Sequence, residues 1–175
     1  MDLLIFGGEG YHNKSWAEEV DRQLGSLFDH CTVHNYLHWQ NDGQNIDIQK
    51  ELTLLPQEVM GLNSYIVIAK SIGTVLTAMA IKQHILNPQK CIFLGIPMMA
   101  VDRHKVEVSD YYKSINVPVM FIQNNHDPLG SATDVKEYLE ELASVNYQFI
   151  ELQGDTHDYS DYGQLKTIVA NFLSK

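Results

Sequence analysis

Three residues of this chain could together take up a proton and attack a carbonyl: Ser71, Asp127 and His157, in that order. A serine hydroxyl is a weak nucleophile at neutral pH until a base withdraws its proton. An imidazole suits that task, and an acid must fix its tautomer and stabilise its charged form. Ser71 lies in Tyr65-Ile66-Val67-Ile68-Ala69-Lys70-Ser71-Ile72-Gly73-Thr74, where an apolar strand-forming run meets a helix-forming one. A hydroxyl on so sharp a strand-to-helix turn points out of the top of a sheet, where a carbonyl can reach it. Ala69 and Gly73 are small, as they must be where larger side chains would collide in the turn. The competing role for Ser71 is a helix N-cap, which would engage its hydroxyl with backbone amides.

Each partner also has competitors. Asp127 precedes Pro128 and could serve only the turn there. Asp134 stands three residues after Ser131, the spacing of a capping box. Asp102, after the fourth predicted strand, is the rival acid, while Asp155 and Asp158 lie too near His157 in sequence to reach its far nitrogen easily. Gly7-Gly8-Glu9-Gly10 follows the first strand with neither the Gly-x-Gly-x-x-Gly spacing nor that of a P-loop. Its amides suit an oxyanion hole instead, with donors from Ile72 and from Glu9, or from Gly8 in place of Glu9. Gly8, His38, Trp39 and Met98 are candidates for lining a substrate pocket. His30, His34 and His38 recur every four residues, which on a helix could hold a metal, but they straddle a predicted strand. No metal and no cofactor are expected.

The elements that must hold these residues alternate in type along the chain. Strands are predicted at Asp2–Phe6, Cys31–Leu37, Ser64–Ala69, Cys91–Gly95, Pro118–Gln123 and Tyr147–Leu152. Helices are predicted at Ser15–Phe28, Ile48–Val59, Ile72–Leu86, Ala132–Ser144 and Tyr162–Ser174, the third ending before Asn87-Pro88. Strands apolar at nearly every position are covered on both faces, so the fold class is α/β with one doubly wound parallel sheet. Right-handed crossovers give the sheet order 2-1-3-4-5-6 in this chain's strands. In such a sheet the site lies at the carboxyl ends of the strands, where Gly7, Ser71, Asp127 and His157 fall. The segment from Met98 to Ile115 is irregular and polar and could overhang that site.

At 175 residues one domain is expected, spanning 1–175. A hydrophobic content of 45% with 19% charged residues is that of an ordinary globule. The net charge of −10 opposes binding to nucleic acid and to anionic membrane, and neither is expected as a partner. Met1-Asp2 runs directly into an apolar strand with no basic leader, and Cys31 and Cys91 show no metal spacing. A cytoplasmic, reduced protein is the expectation.

Four motifs now stand in order: Gly7-Gly8-Glu9 with Trp16 beyond, Ala69-Lys70-Ser71-Ile72-Gly73, Asn124-Asn125-His126-Asp127 and Gly154-Asp155-Thr156-His157. In this order the chain resembles a small, lidless member of the α/β-hydrolase superfamily, without that fold's first two antiparallel strands. The resemblance implies a serine hydrolase that cleaves a carboxylic ester or thioester of a small to medium acyl substrate through an acyl-enzyme on Ser71. A small serine peptidase, and a non-catalytic α/β module binding a ligand or protein, are the alternatives. The chain departs from the pattern with Ala69 for glycine and with Gly7 where many relatives carry histidine. Glu9 brings a carboxyl to the loop, so its side chain must turn away from any oxyanion.

Overall fold

The structure is a computed structural model that describes residues 1–40, 45–99, 109–142 and 146–174. Its elements in chain order are β1 (Asp2–Phe6), α1 (His12–Leu24), β2 (Cys31–Val33), α2 (Ile48–Glu58), β3 (Tyr65–Lys70), α3 (Ile72–Lys82), β4 (Cys91–Leu94), α4 (Ser109–Tyr112), β5 (Val119–Asn124), α5 (Ala132–Glu141), β6 (Tyr147–Leu152) and α6 (Tyr162–Leu173). Short 3₁₀ turns occupy Gly25–Leu27 and Leu37–Gln40. The strands form one parallel sheet in the order β2-β1-β3-β4-β5-β6, as the crossover rule predicts.

Strand alternation sorts the core into two layers. Leu3, Ile5, Ile66, Ile68, Ile92, Leu94, Met120 and Ile122 face α1 and α6, meeting Trp16, Ala17, Val20, Leu165 and Val169. The intervening residues Leu4, Phe6, Val67, Ala69, Phe93 and Phe121 face the other way, onto α2, α3 and α5. Side chains alternate across a strand, so a strand buried on both faces is apolar at nearly every position: β3 is buried from Tyr65 to Lys70 and apolar as far as Ala69. Helix α3 is buried from Ile72 to Ile81, all round its axis, and is the central helix of its layer. Among the described residues no helix is long and apolar enough to cross a membrane.

Several boundaries differ from expectation, each for a local reason. Strand β2 ends at Val33 and not Leu37: the His34 amide still bonds the Ile5 carbonyl at 2.9 Å, and beyond it the chain turns away, with the His34 ring on Glu51 and Glu58 and Tyr36 Oη on the Gly7 carbonyl. Helix α1 begins at His12, three residues early, and its N-terminal position Tyr11 makes no side-chain cap, so no sequence signal marks the start. Helix α3 stops at Lys82, short of Leu86, because His84 takes a left-handed conformation with φ 57°. The amides of Gln83, Ile85 and Leu86 then close back onto Met79 and Ala80. The capping box at Ser131 and Asp134 forms in full and opens α5. The expected irregular segment contains the short α4, and Asp102 lies outside the described residues.

Candidate active site

Ser71 occupies the single residue between β3 and α3, with φ 54° and ψ −126°. That conformation is unfavourable for any residue with a Cβ, and here the surrounding bonds impose it. The Ser71 amide donates to the Leu94 carbonyl at 2.9 Å, while the Ser71 carbonyl accepts from the Thr74 amide and hydroxyl at 2.9 and 2.7 Å. Thr74 is in turn bonded to Tyr112 Oη at 2.7 Å. The Ser71 side chain makes no capping bond, so the N-cap role falls away. Gly73 explains how tightly the turn is packed: a Cβ there would lie 2.6 Å from the Gly7 carbonyl oxygen and 2.8 Å from Phe6 Cβ. The glycine-rich loop and the start of α3 therefore touch backbone to backbone.

Asp127 and His157 meet across the β5 and β6 loops. His157 Nδ1 lies 2.9 and 2.8 Å from the two carboxylate oxygens of Asp127. An ionised carboxylate can only accept, so Nδ1 carries a proton, and in the neutral imidazole the lone pair is on Nε2. His157 Nε2 is buried and has no hydrogen-bond partner among the described residues. Two further donors hold Asp127: the Leu129 amide at 2.9 Å and Tyr159 Oη at 2.6 Å. Burial first, and then the hydrogen bond to Asp127, push the Tyr159 phenol well above its ordinary pKa, so it stays protonated and donates. Asp134 is occupied by Ser131 at the start of α5.

Reading the sequence missed Tyr159 and the strap beneath it. Tyr159 Oη also accepts the Asn124 amide at 3.0 Å, and Asn124 Nδ2 donates to the Thr156 carbonyl at 2.8 Å. Asn125 Oδ1 accepts the Gly154 amide at 2.9 Å. The paired asparagines thus tie the acid's loop to the histidine's loop. Gly95, at φ 62°, leaves room for both rings: a Cβ there would lie 2.6 Å from Tyr159 Cε2 and 2.8 Å from His157 Cε1. Asn-Asn after a strand and a tyrosine two residues past a histidine are too common to signal this in advance.

Ser71, Ile72 and His157 share one cleft of about 370 Å³ with Glu9, Gly10, His12 and Asn13, edged by Met99 and Leu129. Ile72 opens α3, and an amide in the first turn of a helix has no carbonyl one turn back to bond. The Glu9 carboxylate is turned onto the approach to α2, where Oε1 accepts the Ile46 amide at 3.2 Å. His38 and Trp39, expected as pocket residues, do not line this cleft. Both are buried, and their ring nitrogens reach the Glu9 carbonyl at 2.6 and 3.1 Å, so they brace the loop from behind. The 3₁₀ turn at Leu37–Gln40, which replaces the expected strand end, is what directs them there. Gly8 packs against the Asn13 amide and Met98 against Gly130, leaving the exposed Met99 at the cleft.

Known structures of similar shape are distant in sequence. An esterase of Pyrococcus furiosus superposes with a TM-score of 0.78 at 16% identity, covering 99% of this chain and 80% of its own. Est1E of Butyrivibrio proteoclasticus, solved with ferulic acid bound, gives 0.76 at 13% identity over 98% and 87% of the two chains. A thioesterase domain from the curacin biosynthetic pathway gives 0.71 at 11% identity over 97% and 90%. No curated protein matches the sequence. The profile of the alpha/beta hydrolase domain matches residues 44–169, well over half of the chain. By that match, over a sheet and strand order of the same kind, the chain belongs to the alpha/beta hydrolase domain family.

Proposed function

We propose that this protein is a serine hydrolase that cleaves a carboxylic ester or thioester of a small to medium acyl group. Ser71 attacks the carbonyl, His157 Nε2 takes the hydroxyl proton, and Asp127 holds the imidazole and stabilises its charged form. The amides of Ile72 and Glu9 receive the developing negative oxygen. His157 then returns its proton to the leaving alcohol or thiol, and water, activated by the same imidazole, releases the acid.

The observation that carries the reading is the pairing of two unspent groups on one cleft. The Ser71 hydroxyl is free of capping duty on a strained turn, and His157 is oriented by Asp127 with Nε2 left unbonded. The esterases and the thioesterase of similar fold favour ester or thioester chemistry over peptide cleavage. With its carboxylate on the Ile46 amide, Glu9 no longer argues for a non-catalytic binding module. A fluorophosphonate probe tests the reading: the protein is labelled, and Ser71→Ala is not. p-Nitrophenyl acetate turnover should fall by about 10⁵–10⁶-fold in Ser71→Ala. Equal labelling of the variant would place the nucleophile elsewhere.

A further inference from the structure

We infer that Lys70, acting through Asn13, is a positioning residue that locks the glycine-rich loop to the strand carrying Ser71. The inference rests on the hydrolase reading above, which makes that loop a source of oxyanion amides.

Strand alternation turns Lys70 onto the α1 face, beside the apolar Ile66 and Ile68, and only 1% of it is exposed. A buried ammonium is costly unless it is well partnered. Among the described residues no carboxylate comes within ion-pair distance of it. Its Nζ instead lies 5.3 Å from the centre of the Trp16 ring and donates to Asn13 Oδ1 at 2.8 Å. Burial lowers the Lys70 pKa to about 8, against the opposing pull of Asp158 and Asp127, so the group is still a cation at neutral pH. An apolar side chain would fill this position at lower cost, which directs attention to what the ammonium does.

An ammonium can only donate, so it fixes which way the Asn13 amide faces. With Oδ1 toward Lys70, Nδ2 must face the loop, and it donates to the Gly10 carbonyl at 3.1 Å and lies 3.1 Å from His12 Nε2. The Asn13 amide nitrogen of the backbone also donates to the Gly10 carbonyl, at 2.8 Å. On the loop's other side Gly8 sits so close that a Cβ there would be 2.8 Å from the Asn13 side chain. The loop from Gly8 to Gly10 is therefore gripped by one amide whose orientation is set by the residue next to the nucleophile. Oxyanion donors act only if held at hydrogen-bond distance from where the charge develops, and small misplacements are expensive.

Lys70→Met, Asn13→Ala and the double variant test this, with p-nitrophenyl acetate as substrate and amide hydrogen exchange at Glu9 and Gly10 followed by NMR. Either single variant should lower kcat by about 10–100-fold, and Lys70→Met, which lies outside the cleft that Asn13 lines, should keep KM within about twofold, because it affects the transition state and not the ground state. The double variant should lose no more than the worse single one, as expected of two residues in one device. The Glu9 and Gly10 amides should exchange faster while the denaturant midpoint of Lys70→Met holds or rises. Unchanged kcat in the folded variants, or fully additive losses, would overturn the inference. If the wild type neither turns over the ester nor takes the fluorophosphonate, the hydrolase reading itself fails. The clamp is then judged by exchange alone: faster loop amides uphold it, and unchanged ones sink it.

Discussion

At Ser71 a side chain with a Cβ is held where glycine would be at ease, at a cost of about 1–3 kcal/mol. Because its hydroxyl caps nothing, removing it should leave stability within about 0.5 kcal/mol. Ser71→Gly should then unfold at higher denaturant than Ser71→Ala, by about 1 kcal/mol, since only glycine relieves the turn. Equal midpoints would mean that the turn is unstrained. Tyr159 makes the opposite kind of contribution. Tyr159→Phe takes one of three donors from the buried Asp127 and strips an acceptor from the Asn124 amide. We expect a loss of about 1–3 kcal/mol in chemical denaturation and a fall in ester turnover of about tenfold. Full activity in that variant would show that the other two donors suffice.

Among the elements, the loop after β4 is where packing and chemistry meet. Gly95→Ala must push a methyl into the His157 and Tyr159 rings and would itself sit at φ 62°. Turnover should drop by about 10²-fold, out of proportion to a stability loss of about 1–2 kcal/mol measured by denaturation. A fall in stability alone would mean that the imidazole tolerates displacement. The element boundaries teach a related point. Apolar runs such as Tyr65–Ala69 were legible because a strand buried on both faces has no polar alternative. The end of α3 was not, because His84 in a left-handed conformation carries none of the glycine or proline signals that mark a stop. The end of β2 was hidden too, since the His34 ring and the Tyr36 hydroxyl are held by partners far along the chain.

For the molecule as a whole, the charge cluster around the buried His34 ties stability to pH. His34 is fully buried, with Nε2 3.1 Å from Glu51 and Nδ1 2.8 Å from Glu58. Burial by itself would lower its pKa, but the hydrogen bonds and charges of Glu51 and Glu58 prevail and raise it. A raised folded pKa gives stability that is fully present below the unfolded value of about 6.5 and is lost as pH climbs through the folded one. The denaturant midpoint should therefore fall as pH rises above about 6.5, and fall more in the wild type than in His34→Gln. Parallel curves for the two proteins would disprove the linkage. Because Glu51 also accepts the Leu37 amide at 2.9 Å, the same cluster anchors the turn whose His38 and Trp39 brace Glu9.

The sequence by itself determined the alternation of strands and helices, the parallel sheet order, and the arrival of Ser71, Asp127 and His157 on loops at one end of that sheet. These follow from local periodicity, turn chemistry and the handedness of crossovers, all of which act over a few neighbouring residues or one connection. Only the tertiary structure decided that Asp127 bonds His157 with Tyr159 beside it, that the Glu9 carboxylate turns onto Ile46, and that Lys70 reaches Asn13. Those pairings join residues about 30 or more positions apart, and each depends on which way a particular side chain leaves its strand or loop. Spacing in a sequence carries no record of that direction once the backbone leaves regular structure.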